Sequence, residues 1–206
     1  MMLLRNGMFD VPIYTAKATN QKLVKEYFAD TIIPNLPKSP NAEQLNLYSD
    51  YFPGADKLDD EFLKFYNTDI EKFHLKAGFN KNISWNKRVH AWYNVGSKGQ
   101  MQEEHDHMGG YPSCVYSAIH YVIYDKDEHT PTVFKNPLYA FYGNSHMTKN
   151  SNNLPYDWKR LHIPQVQEGD LIFFPSFVPH SVGAQTSEKL RATVALNLYT
   201  HEETNV

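Results

Sequence analysis

The 206-residue chain is 41% hydrophobic and 14% aromatic, with a formal charge of −3. That length suits one domain with a full core, and that composition excludes a disordered chain. The lack of a basic excess argues against a duplex nucleic-acid groove, and the single cysteine, Cys114, excludes a disulfide framework and points to a reducing compartment. The opening MMLLRNGMFD has too few apolar residues before Arg5 for a signal segment, and no run approaches the ~20 apolar residues of a membrane span, so the expected location is the cytoplasm.

Residues 9–18, FDVPIYTAKA, read as an opening strand. Residues 20–36 place Leu23, Val24, Tyr27, Phe28 and Ile32 at helical spacing behind a candidate Asn20 cap, and Pro34 ends the pattern. Residues 54–78 repeat it with Leu58, Phe62, Phe65, Tyr66, Ile70, Phe73 and Leu75, and Gly78 is a C-terminal stop. Both stripes are expected to face a core. After residue 82 the chain becomes short β-branched and aromatic runs at 83–96, 113–125, 131–137, 138–143, 170–176, 180–185 and 191–200, punctuated by Gly, Pro, Asp and Asn. Two helices followed by many strands predict a sandwich or barrel with helices packed on one side. The polar stretch 144–160 reads as a long loop and a candidate lid.

Residues 105–107 are His-Asp-His. Side chains alternate along a strand, so His105 and His107 would share a face, with Cα atoms about 6–7 Å apart, and Asp106 would point away. One metal ion can bridge two such imidazoles. Far downstream, EGDLIFFPSFVPHS reads as a buried strand and a turn leading to His180, a candidate third ligand. Eleven residues later Arg191 opens RATVALN, whose alternation puts Arg191, Thr193, Ala195 and Asn197 on one face. An arginine inside a barrel is costly unless it meets an anion, and a guanidinium grips a carboxylate with two hydrogen bonds. His74, His129, His146, His162 and His201 are expected in solvated loops or helix ends, His90 and His120 in satisfied strand positions, and Trp92 and Cys114 in the core.

This arrangement resembles the iron(II)/2-oxoglutarate-dependent oxygenases: His-x-Asp, a distant His, an Arg about ten residues on and a Ser or Thr two beyond. It is most similar to an oxygenase family of marine bacteria and their phages, through Trp92, Asn94, His105, His107, Ser117, Tyr121, Gly169, Leu171, Phe174, Pro175, Ser176, His180 and Arg191. The resemblance spans residues 83–200. It implies a double-stranded β-helix, or jelly roll, with residues 1–80 as a helical support, 83–200 as catalytic core, and 1–206 as one domain. It implies Fe(II) held by His105, His107 and His180, 2-oxoglutarate gripped by Arg191 and Thr193 with Asn94 and Tyr121 as further contacts, and O2 as the oxidant. The implied reaction hydroxylates an unidentified substrate and releases succinate and CO2.

Two departures stand out. His107 occupies the usual Asp position, so Asp106, or Glu103, is an alternative ligand if the strand bulges there. The spacer with Gly109-Gly110 is longer than in the family. Two other readings are open: a three-histidine cupin-like metal enzyme that does not use 2-oxoglutarate, and a non-catalytic ligand-binding barrel. A homodimer is the default assembly.

Overall fold

The computed structural model describes residues 11–40, 47–51, 58–79, 89–108, 114–139 and 160–199. Among the described residues, ten strands form two antiparallel sheets. They are β1 (Tyr14–Lys17), β2 (Tyr48–Ser49), β3 (Val89–Gly96), β4 (Gln102–His105), β5 (Cys114–Ile123), β6 (Thr132–Lys135), β7 (Leu161–His162), β8 (Asp170–Pro175), β9 (His180–Val182) and β10 (Arg191–Tyr199). The large sheet has the order β1-β8-β5-β10-β3-β2, and the small one β4-β9-β6-β7. The fold is mainly β with N-terminal helices, in the expected jelly-roll arrangement.

Side-chain alternation gives the large sheet two chemically different faces. Ala192, Val194, Leu196 and Leu198 of β10 join Ala118 and Val122 of β5 and Leu171 and Phe173 of β8 in a core with the helices. The intervening residues Ile119, Tyr121, Ile172 and Phe174 turn to the inside and pack with Phe134 of β6. The helices α1 (Gln21–Tyr27), α2 (Asp60–Leu63) and α3 (Asn67–Ala77) contribute Val24, Phe62, Ile70 and Phe73 to the outer core. Phe73 stacks on Phe173, ring centroids 4.3 Å apart and 3° from parallel. Each such buried side chain contributes about 1.5–3 kcal/mol.

Several local expectations are corrected. The helix expected over 20–36 is α-helical only to Tyr27, then π-helical over Phe28–Ile32 and 3-10 over Ile33–Asn35, where Pro34 lacks a donor. Asn20 stands at the N-cap position, but its side chain donates to Phe65 O at 2.7 Å and ties the two helical segments together. The segment expected as one helix breaks into α2, a 3-10 turn over Lys64–Tyr66, and α3; Gly78 closes it at φ 77°. Leu23 and Leu75 are exposed rather than core-facing. His129 is buried, not solvated: its Nδ1 accepts from Asp125 N at 3.0 Å. Pro137 and Leu138 form a turn where the sequence predicts a strand over 138–143; residues 140–143 and most of the candidate lid, 144–159, lie outside the described residues, as do His146, His201 and Gly109-Gly110.

His120 lies on the helix-facing side of β5, fully buried, with Tyr66 Oη and its Nδ1 hydrogen-bonded at 2.8 Å. Burial lowers its pKa to about 3, and burial lowers those of His74 and His107 to about 4 and of His180 to about 3. These groups are neutral when folded and take up a proton on unfolding below the ordinary histidine value of about 6.5. The metal-free protein should therefore lose stability as pH falls from 7 toward 4; a flat pH profile would contradict this. Tyr66→Phe leaves His120 Nδ1 buried without its partner and should cost about 1–3 kcal/mol in denaturant unfolding. An unchanged midpoint would show that the bond carries no weight.

Candidate metal centre and cosubstrate pocket

Three histidines converge inside the barrel mouth. His105 ends β4 and pairs in register with His180, the first residue of β9. The ladder is irregular between Gln102 and His105. His107 is not on the strand, contrary to the simple alternation expected. It follows β4 in a bend, and its backbone N–H donates to Ser176 O at 2.9 Å. The rings nonetheless meet: centroids are 4.3 Å apart for His105–His180, 5.1 Å for His107–His180 and 5.2 Å for His105–His107. One ligand nitrogen from each lies within 4.8 Å of the other two.

The Nδ1 atom of every ring is engaged. That of His105 faces Glu103 O at 2.8 Å, and that of His180 faces Val178 O at 3.1 Å. His107 Nδ1 faces Asn197 Oδ1 at 2.5 Å and Ser117 Oγ at 2.8 Å. Carbonyl acceptors at Nδ1 fix the proton there and leave Nε2 with a lone pair. His107 Nε2 is buried with no hydrogen-bond partner, and His105 Nε2 has only a long 3.4 Å contact with Gln102 Nε2. Burial, then the neighbouring histidines, holds His180 neutral, and burial is the chief cause for His107. Imidazoles with inward lone pairs suit a divalent transition metal, and His105, His107 and His180 are the residues that would hold one.

Asp106 is exposed, and its Oδ1 accepts from Met108 N at 3.0 Å, shaping the bend. Neither Asp106 nor Glu103 belongs to the converging group. Glu103 contributes its backbone carbonyl to His105.

From the metal centre a narrow pocket runs into the barrel, past Thr193, to Arg191. Thr193 and Asn94 are buried cross-strand partners on its wall. Arg191 is 7% exposed. Its guanidinium donates to Thr132 Oγ1 at 3.2 Å and lies over the Tyr121 and Tyr124 rings at 5.6 and 5.9 Å. Among the described residues no carboxylate pairs with it, and Glu188 instead meets Lys98 at 2.9 Å. Arg191 Nε is buried with no hydrogen-bond partner among the described residues. Burial raises the Tyr121 pKa, and the Arg191 charge and a Thr132 hydrogen bond oppose it, so the phenol stays protonated. A buried cation with an unpaired N–H lowers its free energy by binding an anion.

Sequence reasoning left two participants without a role. Asn197 was placed on the correct face of β10, but its bond to His107 was not foreseen. Trp92, expected in the core, is buried against the site, 5.5 Å from the His107 ring. Ser117, Ser176 and Cys114 form a hydrogen-bonded cluster below His107, with Ser117 Oγ donating to Asn197 Oδ1 at 2.9 Å. The prediction is spectroscopic. In the metal-free protein near pH 7, long-range ¹H–¹⁵N spectra should show His107 and His180 as Nδ1–H tautomers; an Nε2–H form at His107 would contradict the assignment.

The sequence matches the family described as "Putative 2OG-Fe(II) oxygenase" over residues 90–197, more than half of the chain. A search of curated proteins finds no match. Solved structures share the fold at low identity. A prolyl-4-hydroxylase from Pseudomonas putida has a TM-score of 0.57 and 13% identity, covering 93% of this chain and 94% of its own. A prolyl hydroxylase from Trichoplax adhaerens, in complex with a hypoxia inducible factor oxygen degradation domain peptide fragment, has 0.57 and 10%, covering 91% and 83%. The non-heme alpha ketoglutarate dependent epimerase SnoN from nogalamycin biosynthesis has 0.59 and 13%, covering 92% and 78%. The chain belongs to the 2OG-Fe(II) oxygenases, enzymes that work with ferrous iron and 2-oxoglutarate.

Proposed function

We propose that the protein is a dioxygenase that hydroxylates a C–H bond of its primary substrate, with His105, His107 and His180 holding the iron and Arg191 holding the far carboxylate of 2-oxoglutarate. The observation that carries this is the pairing of unengaged groups along one pocket, among the described residues: His107 Nε2 at the metal end and Arg191 Nε at the other. An acidic molecule that chelates a metal with one end and offers a carboxylate at the other satisfies both. Arg191 has no such task in a three-histidine centre that works without 2-oxoglutarate.

Ferrous iron, 2-oxoglutarate and O2 together supply the oxidative chemistry, in which 2-oxoglutarate goes to succinate and CO2 while one oxygen atom enters the substrate. The chain's own residues bind, orient and exclude water. Arg191 and Thr193 fix the cosubstrate's orientation. Asn94 adds a polar contact on the same wall, and Tyr121 supports Arg191 from behind, with the guanidinium 5.6 Å from its ring centroid. Asn197 and Ser117 hold the His107 ring so that Nε2 faces inward. The apolar inner layer of Ile119, Phe134, Phe174 and Val178 keeps bulk water from the pocket.

Arg191→Ala should weaken 2-oxoglutarate binding by roughly 100-fold or more, as expected for removing a buried charged hydrogen-bond partner, while ferrous affinity changes little. Calorimetric titration under anaerobic conditions reads both. Unchanged 2-oxoglutarate affinity would sink the cosubstrate role. Asn197→Ala removes the acceptor that orients His107 and should lower metal affinity by roughly 10- to 100-fold.

A further inference from the structure

The metal centre opens on a second, wider cavity of about 450 Å³ at the other end of β10. Where the narrow pocket ends at Arg191, this one reaches Asn197 and Tyr199. Its wall is aromatic. Tyr51 lies 5.1 Å from Trp92 and 6.2 Å from His90, and His90 lies 5.3 Å from Trp92, measured between ring centroids.

Tyr51 is 54% exposed, yet its backbone is fixed. The adjacent Asp50 is buried, and its carboxylate accepts from Tyr93 N at 2.6 Å and Leu58 N at 2.9 Å. Ser49 Oγ accepts from Tyr51 N at 3.2 Å. A large aromatic ring is thus held at the edge of a cavity by a buried ionic anchor. Exposure of that apolar surface is unfavourable in the free protein, and fixing the ring beforehand removes an ordering cost from binding.

The charge on the described part of the wall has one sign. Among the described residues that line the cavity are two carboxylates, Glu103 and Asp106, and no lysine or arginine. A ferrous ion, three neutral imidazoles and dianionic 2-oxoglutarate sum to zero, Arg191 adds one positive charge at the far end of the narrow pocket, and Glu103 and Asp106 are the charged side chains on the described wall of the wide cavity. Aromatic faces and carboxylates around one cavity attract an organic cation, through the ring quadrupoles and through Coulomb attraction.

We propose that the primary substrate is bound through a cationic group, an alkylated or primary ammonium, held among Tyr51, Trp92, Glu103 and Asp106. This rests on the dioxygenase reading above and deepens it by naming a substrate class. The Arg191 end selects an anion and the Tyr51 end a cation, so cosubstrate and substrate are sorted by charge to opposite sides of the metal.

The test uses the full chain loaded anaerobically with ferrous iron and 2-oxoglutarate. It is titrated with choline and with the neutral isostere 3,3-dimethyl-1-butanol, and binding is read by ligand-observed NMR. Choline should bind saturably with a Kd of roughly 1–10 mM, and the isostere roughly tenfold more weakly. Tyr51→Ala and Glu103→Gln, both at exposed positions, should each weaken choline binding by roughly three- to tenfold, and Glu103→Gln should leave the isostere unchanged. Equal or tighter binding of the isostere would overturn the proposal, as would no saturable choline binding. The visible band of the iron–2-oxoglutarate complex in the same samples tests the underlying reading separately: a band without choline binding overturns the cation assignment alone, and choline binding without a band supports the cage while removing the metal reading.

Discussion

Polar groups that water cannot reach must find partners inside the protein, and the interior lined by the large sheet holds groups that do not. Among the described residues Arg191 Nε on β10 and His107 Nε2 in the bend after β4 are buried without a hydrogen-bond partner. Each costs free energy in the free protein. The fold tolerates them because the opposite face of the same strands is apolar and sealed against the helices, where Ala192, Val194, Leu196 and Leu198 pack. The stability of the outer core offsets the cost of an inner face arranged for binding. The helices thus matter to function without touching the site.

The period-two pattern of RATVALNLY made this division legible. It placed Arg191, Thr193 and Asn197 together, and the structure shows those residues facing inward while the alternate positions face the helices. The convergence of His105 and His180 was also legible, as two histidines on strands far apart in sequence. The geometry of His107 was not. Strand alternation predicted a same-face pair, but β4 stops at His105, and the bend that brings His107 round is held by Ser176 O, whose position depends on a turn about 70 residues away. Nor could spacing reveal Asn197 as the partner of His107, because that contact exists only once β5 and β10 are paired in register. Helix propensity likewise missed the change to π-helix after Tyr27, where packing of Phe28 against Tyr93 of the sheet overrides local preference.

The replacement of a carboxylate by His107 alters the charge of the centre but not its architecture. An Asp at that position would accept hydrogen bonds; His107 instead donates one through Nδ1 to Asn197 and keeps Nε2 for the interior. The surrounding groups match the imidazole, since Asn197 Oδ1 receives a second bond from Ser117. Asp106 points into its own turn and shapes the bend that carries His107. Its side chain contributes to the site through backbone geometry and through its charge at the wide cavity, whose acidic wall complements a centre with one negative charge fewer than a carboxylate would give.

The most direct test of the central claim is anaerobic addition of ferrous iron and then 2-oxoglutarate to the metal-free protein, followed by visible absorption. A charge-transfer band that appears only with both, saturates at one iron per chain and fails to form when any of His105, His107 or His180 is changed to alanine is the predicted result. Bound iron that gives no band with 2-oxoglutarate would contradict the account and leave a three-histidine centre of different chemistry.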